Sequence, residues 1–268
     1  MVDFEHKEHY DVYDFKNIIK LLRSEGGCPW DREQTHESIR RNFIEEAYEA
    51  VEAIDEKSTE HIKEELGDVL MQVIFHAQME DEIGTFDLDD VADGACKKLI
   101  YRHPHVFGSV SVENSAEVLV NWEELKKLEK DQKTVTDTLD SVARNLPGLW
   151  RAEKVQKKAA KVGFDWKDVD GALDKLEEEL GELREAIRTG SGAAEELGDL
   201  LFSAVNVARF IKADPEEAVN GTTDKFIERF RRLEEAAKDR GGIEEMSFEE
   251  MDELYEEVKQ KLLKEKSE

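Results

Sequence analysis

The sequence predicts an all-α protein built from two tandem helical domains. Apolar residues recur at three- and four-residue spacing along nearly all of the 268-residue chain, the pattern of helices with one apolar face. Only four prolines interrupt it, and strand-like alternation is confined to a weak stretch at 106–112. The length exceeds that of a usual single domain, so two are expected.

Taken in order, the N-terminus (MVDFEHKEHY) is charged from residue 3, so no secretory signal is expected. Ile44, Tyr48, Val51 and Ile54 make one apolar helical face. The apolar run 69–77 is too short to span a bilayer and is broken by Gln72 and His76. Asp87 stands as a cap before the next helix. Near 129–147 the long periodicity fades and ends in Pro147-Gly148. That places a first domain at 1–130, a linker at 131–147 and a second domain at 148–268. There Leu197, Leu200, Leu201 and Val205 form another face, and Asp214-Pro215 opens a helix with proline in its first turn.

The two domains repeat one another. EELGD occurs at 64–68 and 195–199, each time leading into an apolar helix, and an EExxE precedes each: Glu45, Glu46 and Glu49, then Glu178, Glu179 and Glu182. Cys28-Pro29-Trp30-Asp31 answers Gly163-Phe164-Asp165-Trp166, Lys98 and Arg102 answer Lys225 and Arg229, and Trp122 and Lys126 answer Tyr255 and Lys259. Landmarks in one order, at offsets of 127 to 135 residues, indicate an internal duplication.

Composition narrows the function. Charged residues make up 38% of the chain and the net charge is −27, a surface that repels nucleic acids and anionic membranes. An anionic substrate would therefore need bound metal or a local cationic pocket. Cys28 and Cys96 have neither disulfide nor zinc spacing. A soluble, cytoplasmic protein is expected.

On a helix, residues three apart share a face, so Glu179 and Glu182 project together, as do Glu196 and Asp199. If their helices pack antiparallel, four carboxylates converge, and each bare pair costs about 3 kcal/mol at roughly 5 Å. With 65 acidic residues such spacings also arise by chance on solvated faces. Here, however, the acids abut apolar positions, and Gly67 and Gly198 sit between them at a cost of about 1 kcal/mol each, which predicts close approach of a helix or ligand. A hard divalent cation, Mg²⁺ or Mn²⁺, relieves the repulsion. A di-iron site would want Glu-x-x-His, and the only such pair, Glu33 and His36, lies elsewhere. Glu46, Glu49, Glu65 and Asp68 form the equivalent, weaker site. Lys175 shares a stripe with Glu178, Glu179 and Glu182, whereas Asn42 stands at the matching place in the first half. No P-loop or GxGxxG motif is present.

EExxE followed by ExxD on helices, with CPWD at 28–31, RHPHVF at 102–107 and VGFDW at 162–166, resembles the MazG nucleotide pyrophosphohydrolases over nearly the whole chain. The resemblance implies a homodimer whose protomers complete each bundle, and Mg²⁺-dependent cleavage of NTPs and dNTPs between the α- and β-phosphorus. It makes Glu179, Glu182, Glu196 and Asp199 the metal ligands. It places nucleotide contacts at Lys175, Gly192, Ala193, Ala194, Glu195, Asp199, Lys225, Arg229, Tyr255 and Lys259, with Tyr255 standing where the family often has tryptophan. Glu178, or a ligand such as Glu179 or Glu182, would serve as general base for a water attacking the α-phosphorus. The second domain would carry most of the activity. A narrow-specificity house-cleaning enzyme for dUTP-like nucleotides, and a metal-stabilised nucleotide-binding dimer that docks regulatory proteins, are the alternatives.

Overall fold

The computed structural model describes residues 4–265 apart from 113, 115, 116, 119–121, 123, 124, 127, 130 and 131. The described residues contain helices and no strand, and the weak strand stretch instead begins inside a short helix at Pro104–Phe107. The chain divides into two compact units, one ending at Lys126 and one following it.

Unit 1 contains α1 (Val12–Arg23), α2 (Pro29–Glu33), α3 (His36–Asp55), α4 (Thr59–Ile83), α5 (Leu88–Arg102) and α6 (Pro104–Phe107). Asp11, Thr35 and Asp87 each start a helix with a reciprocal capping box, which satisfies N–H groups that the helix itself cannot. A three-residue turn with Lys57 at φ 57° returns α3 onto α4 as an antiparallel hairpin. α1 packs across α4, and Ile19, Ile39, Ile74, Phe75 and Met79 close the core between them. Each such side chain stabilises the fold by roughly 1.5–3 kcal/mol on burial. Arg23 seals this core: its guanidinium lies 5.2 Å from the Phe75 ring centroid and pairs with Glu82 at 2.7 and 2.9 Å. His36, outside the carboxylate constellation, meets His76 through their Nδ1 atoms at 2.7 Å and Glu80 at 2.8 Å. Burial, and then the neighbouring His36, hold the His76 imidazole below its ordinary pKa.

Unit 2 contains α7 (Val135–Asp140), α8 (Gly148–Ala160), α9 (Val169–Thr189), α10 (Ala193–Phe210), α11 (Pro215–Ala237) and α12 (Phe248–Glu265). Within the stretch read as a linker, α7 is a capped helix that packs on α8. Gly190 and Gly192, at φ 75° and 80°, turn α9 back onto α10, a left-handed backbone that side chains with a Cβ resist. α8 lies against α10 as α1 lies against α4. A separate core of Leu233, Ala237 and Leu254 joins α11 to α12.

Not every apolar face is buried. Ile44, Tyr48, Val51 and Ile54 lie on one helix as expected but stand 46–53% exposed, and Leu197 and Leu201 are also about half exposed. Val205, by contrast, is 1% exposed. No helix among the described residues is long and apolar enough to cross a membrane.

Candidate metal and nucleotide site

The two hairpins carry the acids that the repeat pairs with one another. Glu179 on α9 and Glu196 and Asp199 on α10 each bring a carboxylate oxygen within 4.8 Å of the other two. In unit 1, Glu46 and Glu49 on α3 meet Glu65 on α4 in the same way. Glu182 and Asp68 fall outside these tightest sets but remain within electrostatic reach. The charge of Glu179, then burial, pushes the Glu182 carboxyl up against the opposing pull of Lys175. Burial, then Asp68, Glu49 and Glu65, pushes Glu46 up, and burial, then Glu49 and Asp68, does the same for Glu65. Convergent carboxylates that hold one another's protons fit a hard divalent cation, since all donors are oxygen and their spacing suits one ion. Gly67 and Gly198 do not mark a crowded contact within the chain, because a Cβ at either meets nothing within 4 Å. The close approach expected there is therefore not made by the neighbouring helix.

Glu179 is 6% exposed, and Lys175 neutralises it from one turn away at 2.7 Å while also holding Glu178 at 2.8 Å. Those two carboxylates raise the lysine pKa above its ordinary value. Glu178 itself is exposed. Gly192 begins α10 with no side chain capping it, so Ala193, Ala194 and Glu195 form an open helix N-terminus of the kind that favours anions. A cavity of about 530 Å³ opens beside the acids, with Lys175, Glu179 and Asp199 in its lining.

The remaining expected contacts lie on α11 and α12. Lys225 is exposed, Arg229 half-buried, and Lys259 pairs with Glu256 at 2.8 Å. Tyr255 packs on the Leu233, Ala237 and Leu254 core and meets Phe226 at 5.9 Å, and it does not line the cavity beside the acids. In unit 1 the matching Trp122 ring lies 5.5 Å from the Arg102 guanidinium and 5.1 Å from the Lys126 ammonium. Sequence reasoning missed the cavity, although the segment Gly163-Phe164-Asp165-Trp166, singled out as a repeat landmark, forms part of its wall together with residues of the surrounding helices.

Residues 34–107 and 168–233 match the model of the MazG nucleotide pyrophosphohydrolase domain, one segment in each unit. The chain belongs to that family. It is an enzyme, a hydrolase of nucleotide anhydride bonds. A Thermotoga maritima nucleoside triphosphate pyrophosphohydrolase/pyrophosphatase MazG is 47% identical over 91% of this chain and 93% of its own length. An Escherichia coli nucleoside triphosphate pyrophosphohydrolase is 43% identical over 90% and 94%. The uncharacterised YabN of Bacillus subtilis is 48% identical over 94% of this chain, which spans 52% of that longer protein. Both matched segments contain the hairpin that carries the acids.

Proposed function

We propose that the chain hydrolyses nucleoside and deoxynucleoside triphosphates to the monophosphate and pyrophosphate, at the carboxylate site of unit 2. The observation that carries this reading is the Glu179, Glu196 and Asp199 cluster opening, beside Lys175, onto a cavity of nucleoside size. Glu179, Glu182, Glu196 and Asp199 would hold Mg²⁺, with Mn²⁺ as a substitute. The ion, when bound, neutralises phosphate charge and acidifies water. Lys175 would leave its glutamates for a phosphate oxygen, and the N–H groups at 193–195 would meet the same charge. Water attacks the α-phosphorus, the bond to the bridging oxygen breaks, and that oxygen departs with pyrophosphate. Glu178 or one of the four ligands takes the water's proton. Lys225, Arg229, Tyr255 and Lys259 would approach the nucleotide from α11 and α12.

The protein works as a homodimer in the cytoplasm. The half-exposed face of Ile44, Tyr48, Val51 and Ile54 needs a cover that the unit does not supply. The net charge of −27 argues against nucleic-acid and membrane partners. The test is a panel of NTPs and dNTPs with purified protein and products resolved. Monophosphate and pyrophosphate should form, vanish with chelator and return with Mg²⁺. Orthophosphate and diphosphate as first products would overturn the cleavage site.

A further inference from the structure

Unit 1 holds a polar cluster away from its carboxylates. His36, in the first turn of α3, stacks on His76 of α4 with ring centroids 5.0 Å apart, and their Nδ1 atoms meet at 2.7 Å. His36 Nε2 lies 2.8 Å from Oε1 of Glu80, one turn beyond His76, and Oε2 of Glu80 accepts from the Thr85 hydroxyl. Phe43 meets the His76 ring at 5.7 Å. On the 131-residue offset of the EELGD repeat, His76 and Glu80 answer to Val207 and Ile211. The equivalent hairpin of unit 2 therefore closes without these polar groups.

The contacts fix where the protons are. The Thr85 hydroxyl, and then His36, hold the Glu80 carboxyl below its ordinary pKa, so it is an acceptor and His36 Nε2 carries a hydrogen. The gap between the two Nδ1 atoms then has room for one hydrogen only. With the pair neutral, His76 donates it; with one positive charge, His36 does. A second positive charge puts a hydrogen on both Nδ1 atoms, and at 2.7 Å these collide. Glu80 is already engaged by His36 and Thr85. Of the other charged groups on the surrounding helices, Glu37 and Arg40 share α3 with His36, and Glu33 ends α2. Lys16, Lys20 and Arg23 of α1 are paired with Asp87, Asp81 and Glu82.

We propose that His36, His76 and Glu80 form a proton-operated staple, which ties the start of α3 to α4 until the histidine pair takes up a second positive charge. Burial, and then His36, hold the His76 imidazole below its ordinary pKa, in line with that order. A basic group whose folded pKa lies below the unfolded one gives stability that is complete above about pH 6.5. That stability is lost as pH falls through the folded value. The staple makes unit 1, and not unit 2, sensitive to mild acid. α3 also carries Glu46, Glu49 and the half-exposed face of Ile44, Tyr48, Val51 and Ile54, so its release loosens the element that holds both. The staple does not depend on the nucleotide reading of either site.

Hydrogen exchange of the whole protein tests this, read by mass spectrometry at about pH 7 and 5.5 and corrected for the intrinsic rate. Amides at 39–44 in α3 should lose protection by about ten-fold or more in acid, the loss that one hydrogen bond to a charged group produces. Amides at 172–177 in α9, the equivalent turns of unit 2, should keep theirs. His76→Val, which installs the unit 2 residue and keeps every acid of α3, should give 39–44 the same protection at both pH values. Nitrogen-15 NMR of the wild-type histidine rings should show His76 taking its proton over the same pH range in which α3 loosens. That measurement decides the matter if the variant does not fold. Protection at 39–44 that is unchanged in acid, falls equally at 172–177, or falls in His76→Val as in wild type would overturn the staple. So would a His76 ring that is charged at neutral pH, or one that titrates outside the range of loosening.

Discussion

Lys175 places its Nζ 2.7 Å from Oε1 of Glu179, so the one buried carboxylate of the unit 2 cluster already has a counter-charge. Asn42 occupies the matching position of unit 1, and there Glu46 relieves the crowding by a raised pKa. The lysine is thus both a stand-in for the cation and a competitor with it. Once the ion is bound, the ammonium becomes free to meet phosphate.

Lys175→Gln should therefore separate two effects that most site mutations confound. Removing a positive charge beside a divalent ion should tighten metal binding in the absence of nucleotide by roughly three- to ten-fold. Removing a charge-assisted phosphate contact should raise KM for NTP by roughly ten-fold or more. Mn²⁺ titration by electron paramagnetic resonance and steady-state kinetics read the two separately. Weaker metal binding in the variant would refute the competition.

The halves should be catalytically unequal. Unit 1 retains the acids but lacks the lysine, and ends α5 at Arg102 before His103-Pro104, where α11 runs on past Arg229 to Ala237. A proline inside a helix removes a donor and clashes with the preceding turn, so the cations of unit 1 cannot be carried along an unbroken helix. Glu196→Gln should remove nearly all turnover, by about a hundred-fold or more, whereas the equivalent Glu65→Gln should leave most of it. Equal losses measured on one NTP at saturating Mg²⁺ would mean two working sites.

The exposed face on α3 predicts association. Light scattering should give about twice 30.8 kDa at micromolar concentration. Tyr48→Asp with Val51→Asp puts two charges into a face that is now about half exposed and apolar, and should return the protein to its monomer mass. A wild-type mass near 30.8 kDa would contradict the homodimer.

Much of this was legible in the sequence, for definite reasons. Helix period, the Asp87 and Asp214 caps and the EELGD hairpins are local signals, and all three survive folding unchanged. The destination of an apolar face is not local. The spacing of Ile44, Tyr48, Val51 and Ile54 is the same whether their cover comes from the same chain or another. Stretch 106–112 read weakly as a strand because alternation was weighed without Pro104, whose fixed φ starts a helical turn instead. Gln156 and Asn206, in the wall of the cavity, were invisible because a polar residue on a helix ordinarily faces solvent.

The last prediction concerns what fixes α11 in unit 2. The Trp150 indole Nε1 on α8 donates to both carboxylate oxygens of Asp214, at 2.9 and 3.0 Å, while that carboxylate caps α11 by accepting from the N–H groups of Glu216 and Glu217. Burial alone would push the Asp214 pKa up, but the indole and the two backbone donors favour the charged form and hold it below the ordinary value. A folded pKa below the unfolded one means the contribution is complete above about pH 4 and is lost as pH falls through the folded value. Trp150→Phe removes one donor to a charged acceptor and should cost about 1.5–3 kcal/mol, and Asp214→Ala should cost a similar amount through the lost cap and the orphaned indole. The double variant should cost less than the sum, since each single change already breaks the shared bond. Urea unfolding followed by circular dichroism should show the difference between wild type and Asp214→Asn constant from pH 5 to 7 and shrinking below about pH 4. A difference that instead grows with acid would mean that Asp214 is held protonated, and that its cap on α11 is not the charged one.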